Sequence, residues 1–399
     1  MAGRILAIEP QCIGFAHAAF NAALIHALLH AFPGESLHFQ GEAEHIAWVR
    51  RSLSAQVDRD TAARVSWEPI AVPARTAGAA RVLLQEAGWT RRLARDLRRP
   101  DVAGAVVCSV TNTSLFALKP LLAAARIRKP VLAVVHAVLA TLLEPGRSPL
   151  RRIVHLRVGL SLPHPRCLRF LSLSDGIQSE LNKACPRFAS VFTPIDAPYA
   201  FDHRPPTLPD PGQPVRFGYF GVSNHGKGFD RFLTLARVFK EADLPAGFVH
   251  VGFVLNPDQL DAVREVLPDA TSEPLSEEAF AERARSVTYA VWTCEPDHYR
   301  LTCSASFLDA LAYAKPGLYL RNPYIAHYAE QMGDIGYLCD NMDALQERAL
   351  ELAQRLPVER YQAQQAAILA GRARFAPEQV ALRLRAAWDH LHGELQPNR

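Results

Sequence analysis

Two short stretches in the second half of this 399-residue chain gather residue types that bind anions. The first, Gly221-Val-Ser-Asn-His-Gly-Lys227-Gly228, follows an apolar run and precedes an amphipathic one. Glycines let backbone N–H groups approach a phosphate, and a helix starting there adds partial positive charge. Ser223 offers a hydroxyl and Lys227 a mobile full charge. The glycine and Lys-Ser/Thr spacing of a P-loop is absent. The second stretch places Thr302, Cys303, Ser304 and Ala305 just before a predicted helix, with Asp309 in its first turns. Small and hydroxyl residues at a helix start again favour an anion. Asp309 is a candidate acceptor for sugar hydroxyls.

The first half offers weaker candidates. Gly14 lies in the turn after the first predicted strand, and His17 and Asn21 stand one turn apart at the opening of the first helix. Polar residues in so apolar a segment either face a ligand or form a buried hydrogen-bonded pair. His136 ends a predicted strand and is a candidate site residue or a structural one. His26 and His30 have the i,i+4 spacing of a helical metal pair. The intervening Glu of a zinc protease is missing and their neighbours are apolar, so core or partner-facing histidines are expected.

Elements that position these residues follow from periodicity. Apolar runs at 4–9, 37–39, 65–70, 105–110, 130–135, 170–174 and 190–193 alternate with helical segments, Asp175 being read as a cap. Between Pro194 and Pro214, seven of 21 residues are proline, which excludes a central strand or helix. The alternation then restarts with strands at 215–220, 247–253, 289–293 and 317–320, and the last 60 residues read as helical. The fold class is α/β: two Rossmann-like, doubly wound domains facing a cleft, with C-terminal helices. The expected boundaries are 1–195, a Pro-rich linker 196–214, 215–375, and a final helix 376–399 packing back on the first domain.

Composition narrows the classes. Hydrophobic residues make up 49% and charged residues 21%, an ordinary globular balance that excludes overall disorder. No apolar run reaches the roughly 18–20 residues of a membrane span. The start lacks the core and cleavage site of a signal peptide, so the chain is read as cytoplasmic. Seven scattered cysteines with no CxxC fit reduced thiols. Residues 1–200 carry 24 Lys and Arg against 14 Asp and Glu; residues 201–399 carry 20 against 26. The basic half suits an anionic membrane surface or a phosphate-bearing acceptor. Within it, the stretch 75–99, with Trp89 and Arg91 to Arg99, reads as an amphipathic helix that lies on a membrane or on the sheet. No nucleic-acid recognition motif is present.

The second half resembles the donor site of GT-B glycosyltransferases, nearest the large retaining family with many polysaccharide-building members. Phe217-Gly-Tyr-Phe-Gly221 with Lys227-Gly228-Phe229 is similar to that family's strand, loop and Lys-Gly. Asp309-Ala-Leu-Ala-Tyr-Ala-Lys315-Pro316 is similar to the latter part of its paired-acid motif. The chain departs from the pattern at Val222, where the family has Arg, and at Leu301, where it has the first acid; Glu295 stands upstream as a substitute. The resemblance implies a nucleotide-sugar donor as substrate, no metal and no other cofactor. It implies catalytic roles for Lys227 and His136, donor binding by Gly221, Ser223, Lys227, Thr302, Cys303, Ser304, Ala305 and Asp309, and an acceptor side at Gly14, His17 and Asn21. The implied activity is sugar transfer, with retention, to a glycan or lipid-linked acceptor in cell-surface polysaccharide synthesis, in the cytoplasm or peripherally at the membrane's inner face. Two alternatives remain: a catalytically impaired nucleotide-sugar or partner-binding protein, and a nucleotide-sugar epimerase. Asp58-Arg-Asp60 matches the DxD of metal-dependent sugar transferases, but those have another fold and three-letter matches arise by chance.

Overall fold

The computed structural model describes residues 3–72, 79–144, 154–201, 206, 208–210 and 212–396. The chain divides into two compact units. Unit 1 comprises Met1–Ala200, Leu301–Cys303 and Arg374–Arg399; unit 2 comprises Phe201–Arg300 and Ser304–Ala373. Residues 202–205, 207 and 211 of the Pro-rich linker 196–214 lie outside the described residues, and its described remainder carries neither helix nor strand.

Unit 1 is built on seven strands: β1 (Arg4–Ile8), β2 (Ser36–Gly41), β3 (Val65–Pro69), β4 (Val102–Val107), β5 (Val131–Val134), β6 (Leu168–Ser172) and β7 (Phe192–Pro194). All pairs are parallel, in the order β3-β2-β1-β4-β5-β6-β7. The strands read as near-continuous apolar runs because helices cover both faces of a parallel sheet. The helix Ala18–Ala31 is apolar almost all round and buried along most of its length. Such a helix needs cover on every side. The final helix, Pro377–Leu395, supplies it: Trp388 meets Phe32 edge-on, with ring centroids 4.8 Å apart. The same helix is pinned by charge. Arg383 grips Asp175 through both carboxylate oxygens at 2.6 and 2.8 Å, and shares the buried Asp196 with Arg374, each at 3.2 Å.

Unit 2 carries β8 (Val215–Phe220), β9 (Ala246–Val251), β10 (Tyr289–Trp292), β11 (Gly317–Leu320) and β12 (Gly336–Cys339). They are parallel in the order β12-β11-β10-β8-β9. Its core is aromatic: Phe217, Phe232, Phe239, Tyr289 and Tyr361 are all essentially buried.

The α/β class with parallel sheets is the one the apolar alternation predicts. Strand β12 has no counterpart in that reading, since four residues with alternating burial give too little periodicity to register. Ser174, not Asp175, caps the helix Asp175–Ala184 by accepting from Gly176 N at 3.0 Å; Asp175 is left to bind Arg383. Asp58 of the DxD match caps the helix Arg59–Ala63. Residues 75–78 of the basic stretch lie outside the described residues. The rest forms the helix Ala79–Asp96, with Trp89 and Leu93 buried and Leu84 exposed. Among the described residues no helix is long and apolar enough to cross a membrane. All seven cysteines are buried, and none forms a disulfide among the described residues.

Removing Arg383 leaves the buried Asp196 with a single cation. Arg383→Ala is expected to cost about 3 kcal/mol in urea unfolding, whereas Arg321→Ala, which breaks an exposed pair with Asp340, stays within about 0.5 kcal/mol.

Candidate functional site

A doubly wound sheet offers a ligand crevice where its winding reverses, beyond the carboxyl ends of the two strands at that point. The strand orders put these points between β1 and β4 in unit 1 and between β8 and β10 in unit 2. The two crevices are lined by opposite chemistry.

In unit 1 the crevice holds carboxylates. Glu9, just past β1, is buried and accepts from Gln11 N at 2.8 Å, Cys12 N at 3.1 Å, Asn21 Nδ2 at 3.1 Å and Ser109 Oγ. Asn21 also meets His45 Nε2 at 2.8 Å, and His45 Nδ1 meets Gly14 O at 2.8 Å. Asn21 is fully buried, so it braces the loop. A second buried carboxylate, Glu86, accepts from Trp89 Nε1 at 2.7 Å and Gln11 Nε2 at 2.9 Å. Burial raises its pKa, opposed by hydrogen bonds from Gln11, Trp89, Thr111 and Thr113. Gly14 and His17 both take left-handed backbone, at φ 59° and 57°. His17 is exposed and meets the half-buried His136 edge-on, ring centroids 5.0 Å apart; Phe20 stacks on His136 at 6.0 Å. Thr302 and Cys303 group with this unit, and Cys303 Sγ lies 3.3 Å from His136 Nδ1.

Unit 2 lines its crevice with small residues and cations. Gly221 follows β8 at φ 94°, and a Cβ there would stand 3.4 Å from Ser306 Cβ. The first anion-type loop therefore abuts the start of the helix Ala305–Ala312. Gly228, at φ 76°, lies so close to β10's exit that a Cβ would sit 2.1 Å from Thr293 O. Thr293 Oγ1 in turn donates to Gly228 O at 2.6 Å. Ser223 is buried and holds the loop, its Oγ accepting from Leu255 N at 2.9 Å. Ser304 caps the helix Ala305–Ala312 through Phe307 N at 3.2 Å and meets Ser306 Oγ at 3.1 Å. Ala305 and Ser306 occupy the first turn, where N–H groups have no intrahelical acceptor. Asp309 is half-buried on the same helix.

Lys227 is half-buried at the end of the short turn His225–Lys227. Its charge adds to burial in lowering the His298 pKa. Burial pushes the Cys294 thiol up to about 12, against the pull of Arg231 and Lys227. Arg231 is a second cation here and belongs to neither of the two sequence motifs. It lies four residues beyond Lys227, donates to Thr293 O at 3.3 Å and pairs with Glu295. The signal was its position one turn into the helix that opens at Gly228. Two cations beside glycine and helix-start amides can stabilise a multiply charged anion.

No protein-family model matches the chain, and no curated protein matches it by sequence. Solved structures match it by shape. HepE of Anabaena, in complex with UDP and glucose, aligns at TM-score 0.63 and 13% identity over 97% of this chain and 100% of that one. The lipopolysaccharide outer core galactosyltransferase WaaB, in its apo form, aligns at 0.64 and 11% identity over 97% and 99%. A UDP-forming α,α-trehalose-phosphate synthase from Burkholderia vietnamiensis aligns at 0.61 and 13% identity over 98% and 99%. The chain has the GT-B fold. Its two parallel sheets are the paired Rossmann-like units of that fold.

In this GT-B chain the unit 2 loop is anchored from beneath by His250, at the end of β9, whose Nε2 contacts Gly221 O at 2.9 Å. Burial pushes the His250 pKa down to about 4; the Gly221 hydrogen bond opposes this and the Arg283 charge adds to it. The unfolded chain titrates a histidine near 6.5, so the native state holds this stability above that pH and loses it as pH falls toward 4. Between pH 7 and pH 5 the loss from His250 is about 2 kcal/mol. Urea unfolding at the two pH values is expected to show it, and His250→Gln to remove that part of the slope.

Proposed function

We propose that this chain is a glycosyltransferase that takes a sugar from a nucleotide-sugar donor held by unit 2, with UDP as the carrier. The observation that carries the reading is the meeting of two strand-to-helix loops, Gly221 against Ser306, at the switch point of the second sheet. Similarity to HepE, seen with UDP and with UDP-glucose, and to a UDP-forming synthase supports the choice of carrier.

On this reading the diphosphate rests on the loop amides of 221–228 and the first turn at Ala305, with Ser304 setting the geometry of that turn. Lys227 neutralises the charge that grows on the departing diphosphate as the glycosidic bond breaks. Arg231 supplies the second cation where the family's Arg is replaced by Val222, exchanging Glu295 for the phosphate. Asp309 accepts from the ribose hydroxyls. His136, with Cys303 beside it, serves the sugar being transferred, and Gly14, His17 and Asn21 shape the acceptor side. Transfer proceeds with retention and without a metal, to a glycan or lipid-linked acceptor in cell-surface polysaccharide synthesis. The basic first half supports a peripheral position on an anionic membrane surface.

A second reading, epimerisation of the nucleotide sugar, is favoured by one likeness. A UDP-N-acetylglucosamine 2-epimerase structure from Listeria monocytogenes aligns at TM-score 0.56 and 14% identity. The two differ in their need for an acceptor. Calorimetry with UDP and GDP is expected to show UDP binding that Lys227→Ala and Asp309→Ala each weaken by roughly 1–3 kcal/mol. UDP-sugar turnover that requires an acceptor supports transfer, and turnover without one supports epimerisation. Binding with no turnover supports the impaired, binding-only alternative, and binding indifferent to both substitutions rules out the unit 2 site.

A further inference from the structure

Three metal-ligating side chains converge where the first and last helices of unit 1 pack together. His26 and His30 stand one turn apart on the helix Ala18–Ala31, and Glu378 lies in the opening turn of Pro377–Leu395. His26 Nε2 is 3.2 Å from His30 Nε2, and Glu378 Oε1 is 3.7 Å and 3.6 Å from the two. Ligand atoms about 2.0–2.1 Å from a tetrahedral Zn2+ stand about 3.3 Å from one another. The three atoms already outline one face of such a tetrahedron. Two neutral imidazoles and one carboxylate make a nitrogen- and oxygen-rich set suited to Zn2+.

A second observation points the same way. The Gln56 side chain hydrogen-bonds His26, whose Nε2 is the atom that faces His30 and Glu378. A metal on Nε2 fixes the imidazole proton on Nδ1, from which it can be donated to Gln56 Oε1. His26 is 9% exposed, but His30 and Glu378 are 45% and 51% exposed, which gives an ion a way in and water room as the fourth ligand.

We propose that His26, His30 and Glu378 bind one Zn2+, with water as the fourth ligand, and so clip the final helix to the first. The ion takes no part in sugar transfer and lies wholly within unit 1.

The full-length chain, stripped with EDTA, is titrated with Zn2+ by calorimetry and followed by thermal unfolding. The expected result is uptake of one Zn2+ per chain and a raised Tm that EDTA reverses. Both effects disappear in His30→Ala and in Glu378→Gln, partly exposed positions whose variants still fold. Gln56→Ala lowers affinity roughly 10–100-fold. No uptake by the unaltered chain, as an ion pair between protonated histidines and Glu378 would give, overturns the proposal. So does uptake that persists in the His30→Ala/Glu378→Gln double variant. UDP binding, measured in parallel, is expected to be unchanged by these substitutions, so the clip and the donor site stand or fall separately.

Discussion

A parallel sheet sends its helices to opposite faces at one point only, and the crevice left there dictates where this protein can hold a ligand. The chain has two such points and treats them differently. In unit 1 the crevice is filled by Glu9, whose carboxylate gathers four donors and is itself inaccessible. Glu86 adds a second buried carboxylate through Gln11. A phosphate placed there would meet negative charge at low dielectric. Unit 2 leaves its crevice to glycine, small hydroxyl residues, Lys227 and Arg231. These charges favour an anion at the second crevice over the first.

Local devices keep the second crevice in shape. Gly228 allows the loop to pass against Thr293 O, where any side chain would collide. Thr293 Oγ1 and His250 Nε2 then hold the two carbonyls of the loop's ends, at Gly228 and Gly221. Ser304 fixes the start of the facing helix. The chain's departures from the family pattern become intelligible in this frame. Val222 stands at the exit of β8 without a charge, and Arg231, a turn into the next helix, brings a cation to the neighbouring exit of β10. Glu295, upstream of the motif position taken by Leu301, is tied to that arginine.

Much of this was legible in the sequence because it is local. Buried parallel strands announce themselves as apolar runs, and the loops 221–228 and 302–309 stand out by composition between them. What was illegible depended on contacts between distant segments. Strand order, and hence the location of the switch points, cannot be read from any window of residues. The buried role of Asn21 depends on Glu9 and His45 from two other loops. His26 and His30 read as core or partner-facing histidines until Glu378, from the other end of the chain, is brought against them. Arg231 belongs to no motif in the sequence, and only the fold puts it beside Thr293 and Glu295.

The central claim is that a nucleotide diphosphate binds to the backbone of the second crevice. Amide hydrogen exchange, followed by mass spectrometry with and without saturating UDP, reads that backbone directly. The account predicts slowed exchange at 221–229 and 304–309, with 9–14 unchanged. Protection confined to 9–14 and 109–114, or none at all under saturating UDP, would contradict it.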